Sequence, residues 1–529
     1  MQPSRTLRRA PLILVLAALL GACGTPDERP AAGPTGSPVA AAGTRSLDPT
    51  ALPPEPSPTP LPPPTAVEEP APATPTPAPE LPTPEPGLLP PSPTPLPAPA
   101  LPPALIYQRP NGSLWRADGA SPPVQLDAAA PLDASRTTPW AAAPDGATVA
   151  FVTSTGVYGP PGDTPPAIAL WLVGADGTNA RAAQSLLPPD GIDLTPGSED
   201  AFTLLPALIE DQRLAWSPRG DQVLFVSAHE GQVDLYTAGV DGSVTRLTDT
   251  PALETGPVWS PDGSLVAFRF ASGFGTGAGW SGAGLAVIPP AGGAPLLSVS
   301  EPPLANGDTT TYIGELLWAG GDTLVATLES PPVGGSEVRA YIVSSGQSLP
   351  LVSVTRGMLG GVAWNGTYGV LAIAVERADT PEDPGLFSWR PGESAAVRID
   401  DDPAAWPAWA EDALAYSAVP EDGSRGVRIW NLGADGDIRQ VSLEPAHMPA
   451  WSVDGQVLAA GDTLYTREGQ VVAVLPGEGV IPLGWTPRGL FFTRLDETLS
   501  GRELWLWDGT QANRVDALHE RYELAQVTP

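Results

Sequence analysis

The chain has 529 residues, 59 acidic against 27 basic side chains, and a formal net charge of −32. So acidic a molecule repels phosphate backbones, which argues against a nucleic-acid-binding protein. The single cysteine excludes an intramolecular disulfide, and the length suits either two or three domains or one large repeat array.

The N-terminus has the pattern of a bacterial lipoprotein signal peptide. Three arginines in the first nine residues precede an apolar run, Pro11–Ala22, which is too short to span a bilayer but suits a signal-peptide core. Leu20-Gly21-Ala22-Cys23 resembles the lipobox of bacterial lipoproteins. The resemblance implies removal of residues 1–22 and lipid attachment at Cys23, and hence a tether on the extracytoplasmic face of the cell membrane. An ordinary signal peptide with a chance cysteine is the alternative.

Residues 23–103 are predicted to form a disordered, lipid-anchored stalk. Stretches such as "PATPTPAPELPTPEPG" cannot bury a core, and they favour the extended polyproline II conformation. At ~3.1 Å per residue, roughly 80 residues would reach on the order of 250 Å if straight. We interpret the segment as a semi-stiff spacer, with an unconstrained linker as the alternative.

The remainder, residues 104–529, repeats one phrase. Its clearest form is "PVWSPDGSLVAF" (Pro257–Phe268), in which a Trp and a tight turn precede alternating apolar residues. The Trp positions of the copies are Trp140, Trp216, Trp259, Trp318, Trp364, Trp409, Trp451 and Trp485. Four of the seven intervals fall between 42 and 46 residues, the length of one four-stranded propeller blade. The longest interval, 76 residues before Trp216, fits a blade plus an insertion near residues 185–206.

Within each repeat, further strands follow the Trp strand. Asp241-Gly242 divides two alternating runs, which is a strong hairpin signal because Gly accepts positive φ. Aromatic residues recur on the corresponding third strand, namely Trp171, Tyr236, Trp389, Trp430, Tyr465 and Trp505. We expect them to pack between blades.

These features predict an all-β fold, a β-propeller of about eight four-stranded blades. Residues 104–126 look like the last three strands of another repeat, whose missing inner strand Tyr522–Val527 could supply. That pairing would give nine blades and remove exposed sheet edges. A miscounted weak repeat would leave seven.

The phrase resembles the Pro-Asp-Gly β-propeller repeats of TolB-like proteins, which are themselves similar to WD repeats. The resemblance covers roughly residues 104–520 and rests on "RLTDTPALETGPVWSPDGSLVAF". It implies a propeller scaffold without implying one function. TolB works in envelope maintenance through protein partners, but this chain shows no obvious α/β domain ahead of its propeller, which puts a Tol-system role in doubt.

No catalytic, cofactor-binding or metal-binding residue is predicted. His229, His447 and His519 fall in different repeats, without the close spacing of metal ligands. "GWSGAG" (Gly279–Gly284) departs from the nucleophile elbow at Ala283, and we interpret residues 273–284 as a loop between strands. The Asp-Gly pairs are interpreted as turns rather than calcium loops.

The predicted function is a non-catalytic binding module. In this interpretation the propeller of a cell-envelope lipoprotein captures a peptide, protein or glycan, while the lipid on Cys23 contacts the membrane. No enzyme activity, cofactor or nucleic-acid partner is expected. The alternative is an envelope hydrolase or lyase that uses carboxylates at the mouth of the propeller channel. The sequence leaves the ligand, the binding loops and the oligomeric state open.

Overall fold

The structure is a computed structural model that describes most of residues 102–527. The segments left out within that range are 131–137, 156–166, 195–197, 276–278, 301–310, 331–334, 379–383, 419–425, 433–436, 443–447 and 519–524. The predicted signal peptide, Cys23 and the Pro-rich segment up to residue 101 lie outside the described residues, as do His447 and His519. Among the described residues, no helix is long and apolar enough to cross a membrane.

In the described part of the chain, the strands form nine antiparallel sheets of four strands each. We number the sheets as blades 1 to 9. Blade 1 contains β1 (Leu105–Gln108), β2 (Leu114–Ala117), β3 (Val124–Gln125) and β36 (Ala525–Val527). Blade 2 contains β4 (Trp140–Ala142), β5 (Thr148–Thr155), β6 (Ala167–Gly174) and β7 (Arg181–Ser185). Blade 3 contains β8 (Ala215–Trp216), β9 (Gln222–Ser227), β10 (Asp234–Gly239) and β11 (Val244–Arg246).

The next three blades have longer inner strands. Blade 4 contains β12 (Leu253–Trp259), β13 (Val266–Gly275), β14 (Gly279–Ile288) and β15 (Leu297–Ser300). Blade 5 contains β16 (Tyr312–Trp318), β17 (Thr323–Ser330), β18 (Gly335–Ile342) and β19 (Gln347–Val354). Blade 6 contains β20 (Gly357–Asn365), β21 (Val370–Ala378), β22 (Gly385–Trp389) and β23 (Val397–Asp400).

The last three blades repeat the same strand order. Blade 7 contains β24 (Ala404–Ala410), β25 (Ala413–Ala418), β26 (Gly426–Asn431) and β27 (Ile438–Ser442). Blade 8 contains β28 (Ala450–Trp451), β29 (Val457–Ala460), β30 (Thr463–Thr466) and β31 (Val471–Val474). Blade 9 contains β32 (Ile481–Thr486), β33 (Gly489–Leu495), β34 (Arg502–Trp507) and β35 (Ala512–Leu518).

The two ends of the propeller meet in blade 1. The C-terminal strand β36 pairs antiparallel with β1, with Ile106 opposite Gln526, and it occupies the inner position that the first strand takes in the other blades. The structure therefore corrects the predicted count of eight blades to nine. A count of the Trp positions of the repeated phrase misses blade 1. This blade takes its inner strand, β36, from the other end of the chain, and β36 contains no Trp.

The repeated phrase forms the end of an inner strand and the turn after it. The phrase places Trp259 at the start of an inner strand, but in the structure Trp259 is the last residue of β12. The turn follows the prediction: the Gly263 N–H donates to the carbonyl of Ser260 at 2.9 Å, and φ of Gly263 is 73°. Asp262 holds the turn from its side chain by accepting from the Ser264 N–H at 3.0 Å.

The Trp side chain also joins neighbouring blades. In five blades its Nε1–H donates at 3.0 Å to an alanine carbonyl beside the Trp of the preceding blade. The pairs are Trp216 with Ala141, Trp259 with Ala215, Trp409 with Ala363, Trp451 with Ala408, and Trp485 with Ala450. These five copies of the phrase therefore supply a hydrogen bond between blades in addition to the strand end that carries the Trp.

The apolar core lies between the blades. In one cluster, Ala267 and Val287 of blade 4 pack with Leu324 and Leu328 of blade 5, and each of these residues is fully buried. The segment 273–284, expected to be a loop, instead ends a long hairpin, in which Gly273 pairs with Ser281 and Phe270 with Gly284. The glycines of this segment do not prevent strand pairing, because the preceding part of β13 and the following part of β14 are already paired in a fixed register.

The predicted insertion contains a short helix. Helix α1 (Glu199–Leu205) begins at Ser198, whose Oγ accepts from the Ala201 N–H at 3.1 Å, and it continues as a π-helical turn, Pro206–Glu210. The next residues lead directly into β8. The side chain of Gln212 both donates to and accepts from the backbone of Val226 at 2.9 Å, which fixes the residues on either side of it.

Candidate active site at the channel mouth

Three consecutive blades bring charged and phenolic side chains together where their inner strands begin. Asp211 and Arg213 come from the segment before β8, Arg269 from β13, and Tyr312 and Glu329 from β16 and β17. The inner strands of a propeller surround its axis, so these residues lie at one mouth of the axial channel. We call these five residues the mouth cluster.

A pair of irregular inner strands makes room for Arg269. The pairing register shifts between Thr255 and Val258 in β12, and again between Ile313 and Leu316 in β16. Gly256 lies in the first of these bulges with φ of 61°, and a Cβ there would come within 2.6 Å of Arg269 Nε. Bulges of this kind redirect side chains beside functional sites, and here only glycine leaves space for the guanidinium.

The guanidinium of Arg269 joins blade 4 to blade 5. Its Nη1 donates to the carbonyls of Ile313 at 2.8 Å and Gly314 at 2.9 Å, and it lies 3.4 Å from the Tyr312 hydroxyl. Its Nη2 lies 3.9 Å from Asp211 Oδ1. Burial lowers the pKa of Arg269, but Tyr312 and Asp211 more than offset it, so the pKa is raised overall. Arg269 is therefore a fixed cation around which the other groups are arranged.

Burial changes the protonation of the two blade 5 side chains. Tyr312 and Glu329 pair across β16 and β17, so they point to the same face of the sheet. Burial raises the pKa of the Glu329 carboxyl, against a smaller opposing effect of Arg269. Burial likewise raises the pKa of Tyr312. The phenol therefore stays a hydrogen-bond donor, and the carboxyl holds its proton to higher pH than an exposed glutamate.

A small recess opens within the mouth cluster. Asp211, Thr255, Arg269 and Tyr312 line it, together with apolar side chains of β12, β13, β14 and β16. Its volume of about 30 Å³ is enough for a water molecule but far too small for a sugar or an amino-acid side chain.

The residues singled out from sequence do not contribute to the mouth cluster. His229 follows β9 as a partly buried residue whose backbone N–H donates to Ser227 Oγ at 3.1 Å. Within the described residues, no group of three or more His, Cys, Asp or Glu side chains could hold a metal ion. Sequence reasoning missed all five members, because they are separated by up to 118 residues, from 211 to 329. The Gly-Pro pair at 256–257 and the insertion before β8 were the only visible signals.

No protein-family model and no curated protein matches the chain. Among solved structures, an acylaminoacyl peptidase of Pyrococcus horikoshii matches 70% of this chain and 50% of its own, at 12% identity and a TM-score of 0.36. The chain thus spans about half the length of that peptidase. The dipeptidyl peptidase 4 of Porphyromonas gingivalis matches 74% of this chain and 64% of its own, at 10% identity and a TM-score of 0.45. A putative TolB from Agrobacterium tumefaciens matches 48% of this chain and 89% of its own, at 17% identity and a TM-score of 0.29. At these identities the likeness concerns the propeller fold alone.

These matches correct the expectation of a non-catalytic binding module. Two of the three structures named are peptidases, which is closer to the alternative of a hydrolase than to the main prediction. The alignments fall on the propeller portion of the peptidases. Which residues of this chain would act, and on what substrate, must therefore come from its own geometry.

Proposed function

We propose that this chain is a hydrolase of the cell envelope that cleaves peptide bonds with carboxylates at the mouth of its propeller channel. The observation that carries the proposal is the recess, which has room for one water molecule and whose lining includes Asp211, Arg269 and Tyr312. A carboxylate beside a held water, and a second carboxyl that retains a proton, are the two groups that general acid–base hydrolysis requires.

The two carboxyl groups have different roles. Asp211, whose side chain is 33% exposed, takes a proton from the water as the water oxygen bonds to the carbonyl carbon of the peptide bond. Glu329 gives its proton to the leaving nitrogen as the C–N bond breaks. Proton transfer through water from Asp211 to Glu329 then restores the starting state. A carboxyl whose pKa is raised by burial, as that of Glu329 is, suits the role of proton donor.

Tyr312 and Arg269 supply the remaining requirements. The attack places negative charge on the carbonyl oxygen, which a neutral phenol can stabilise by donating a hydrogen bond. Burial keeps Tyr312 protonated, so it can serve as that donor. Arg269 is held by the carbonyls of Ile313 and Gly314, so it positions Asp211 and Tyr312 without moving.

The location is part of the proposal. Lipid on Cys23 would tether the chain to the membrane, and the Pro-rich residues 23–103 would hold the propeller away from it. Processing of a Cys23→Ala precursor tests this separately. If the variant is still cut at the same bond and stays on the membrane, the proposed anchor is wrong.

The experiment is a cleavage assay on the full-length protein with a quenched fluorescent peptide library. We expect Asp211→Asn and Glu329→Gln each to lower kcat at least ~100-fold, a usual size for loss of an acid or base. Asp190→Asn and Glu497→Gln are matched controls, since both side chains are exposed, and they should keep the wild-type rate. Absence of cleavage by the wild type, or unchanged rates in both cluster variants, would overturn the proposal.

A further inference from the structure

The inner strands of blades 4 and 7 contain the same kind of bulge. The pairing register of β24 shifts between Ala405 and Ala408, as that of β12 does around Gly256. Each bulge holds two residues that the pairing passes over, Gly256-Pro257 in blade 4 and Trp406-Pro407 in blade 7. The first residue of each pair has a left-handed φ, 61° for Gly256 and 52° for Trp406. The same backbone therefore carries glycine in one blade and tryptophan in the other.

The backbone of Trp406 is in a conformation that costs energy for every residue type except glycine. A positive φ brings Cβ too close to the backbone, and a following proline restricts the residue before it further. Met448 of the next blade also precedes a proline, and its φ is 54°. Residues held in this way cluster at binding and active sites. Glycine would remove the cost at both positions, so the two side chains themselves require an explanation.

Blade 4 shows where a side chain that leaves this bulge points. A Cβ built on Gly256 would lie 2.6 Å from Arg269 Nε, in the space that the guanidinium fills at the channel mouth. Ser417 takes the corresponding position in blade 7, because it and Arg269 each pair with the residue just before the bulge. Ser417 is small and leaves that space open. The side chain of Trp406 therefore enters the mouth where blade 4 places its guanidinium.

A hydrogen bond between blades places Met448 beside Trp406. Trp451 Nε1 donates to the Ala408 carbonyl at 3.0 Å, which sets the inner strand of blade 8 against that of blade 7. Met448 lies three residues before Trp451, and Trp406 lies two residues before Ala408. The two residues are thus at a similar level on neighbouring strands. Both side chains are half-buried, so each also presents a surface to solvent.

We propose that Trp406 and Met448 form an apolar subsite that binds a large apolar or aromatic side chain of the peptide substrate. The inference deepens the proposed function, on which it rests for the identity of the ligand as a peptide. In a ring of nine blades, blades 7 and 8 lie across the axis from blades 3 and 4. A peptide at the mouth would therefore meet the mouth cluster on one side and this subsite on the other.

The composition of the subsite favours an apolar side chain over a sugar. An indole supplies a large flat apolar surface, and a thioether adapts its shape to what it contacts. A sugar on the same indole would also need hydrogen-bond partners for its hydroxyls. The strand residues beside the pair have no polar side chain to supply them, since they are alanines, namely Ala404, Ala405, Ala408 and Ala450.

The test compares the binding of two probes to the full-length protein. The probes are Ala-Ala-Phe-Ala and tetra-alanine, each labelled at the N-terminus, amidated at the C-terminus and measured by fluorescence anisotropy. We expect the Phe peptide to bind at least ~10-fold more tightly, as burial of a phenyl ring provides. Trp406→Ala should abolish most of that preference, and Trp406→Phe should keep most of it because an aromatic ring remains.

A second comparison separates the ring from the backbone that carries it. Trp406→Gly and Trp406→Ala both lack the ring, so both should lose the preference for the Phe peptide. They differ in their tolerance of a φ of 52°, which only glycine adopts freely. We expect Trp406→Gly to have the higher melting temperature of the two. The reverse order would remove the strained bulge on which the inference rests.

Val453→Ala is the control variant. Val453 is an apolar residue with 48% of its surface exposed, in the turn at the far end of β28, and its replacement should leave binding of both probes as in the wild type. Equal binding of the two probes, or a preference that survives in Trp406→Ala and Trp406→Gly, would overturn the inference. Because binding is measured without turnover, a protein that cleaves no peptide can still show the preference, and a protein that cleaves can lack it.

Discussion

Glu254 is a carboxyl buried inside the protein, with 1% of its surface exposed. It accepts hydrogen bonds from the hydroxyls of Thr248 and Thr250, the latter at 2.8 Å. Burial outweighs these bonds and raises its pKa from 4.5 to about 7. The ionised form is therefore less stable in the folded protein than in the unfolded chain.

The raised pKa of Glu254 predicts a fall in stability with rising pH. Below pH 4.5 the carboxyl is protonated in both states and adds no cost. Between pH 4.5 and about 7 the unfolded chain ionises first, so the free energy of unfolding decreases, by at most about 3 kcal/mol. Glu254→Gln stays neutral and keeps an oxygen for the threonine hydroxyls. We expect its melting temperature to exceed that of the wild type at pH 8 by more than at pH 5; an equal difference at both values would contradict the assignment.

The hydrogen bond between blades can be isolated by comparing two buried tryptophans. Trp451 and Trp318 are each 4% exposed. Trp451 Nε1 donates to the Ala408 carbonyl at 3.0 Å, whereas Trp318 Nε1 has no partner among the described residues. Replacement by Phe removes similar apolar volume in both cases, but only Trp451→Phe leaves a carbonyl without its donor.

We therefore expect Trp451→Phe to destabilise the propeller by about 1–3 kcal/mol more than Trp318→Phe. Denaturant unfolding of the two variants, fitted with a common slope, measures the difference. Equal losses would mean that the indole contributes by packing alone.

At the scale of the element, the C-terminal strand closes the ring. Strand β36 is only three residues long, and it pairs with β1 through Leu105, Ile106 and Tyr107. Beside it, the Tyr107 hydroxyl donates to Asp516 Oδ2 at 2.5 Å, and Arg109 Nη2 lies 2.7 Å from the same oxygen. Blades 9 and 1 are thus joined by side chains as well as by the terminal strand.

Truncation after Leu518 should open the ring without destroying the blades. It removes the inner strand of blade 1 and exposes the edge of β1, which an open sheet must otherwise protect. We expect a lower melting temperature and association between the exposed edges, seen by light scattering. Deletion of residues 528–529 alone is the control and should leave both unchanged. A truncated protein as stable and monomeric as the control would show that β36 does not close the ring.

For the molecule as a whole, the sequence predicted the scaffold much better than the site. The repeat period, the Trp positions and the Asp-Gly turns predicted four-stranded blades. The pairing of the two chain ends in a ninth blade was one of the predicted alternatives. These are local patterns, repeated often enough to be recognised. The mouth cluster is assembled from one or two residues each of blades 4 and 5 and of the segment before blade 3, none within a motif, and the raised pKa values of Tyr312 and Glu329 depend on burial in the folded ring.

The expectation of a non-catalytic binding module was wrong for the same reason, namely that the candidate residues are far apart in the chain and lie in no motif. The search for catalytic residues relied on close spacing along the chain, as in a metal site or a nucleophile elbow. Asp211 precedes blade 3 and Glu329 belongs to blade 5, so only the folded ring brings both to the side of Arg269. A site proposed from residues so far apart in the chain has no local sequence pattern that would reveal it.

If Glu329 is the proton donor of the proposed hydrolysis, its titration should govern the pH dependence of kcat/KM. The donor must be protonated, so cleavage by the wild type should fall as pH rises through the raised pKa of Glu329. Glu329→Gln should retain only slow cleavage and lose this alkaline limb, because Gln cannot titrate. An alkaline limb at the same pH in wild type and Glu329→Gln would contradict the account.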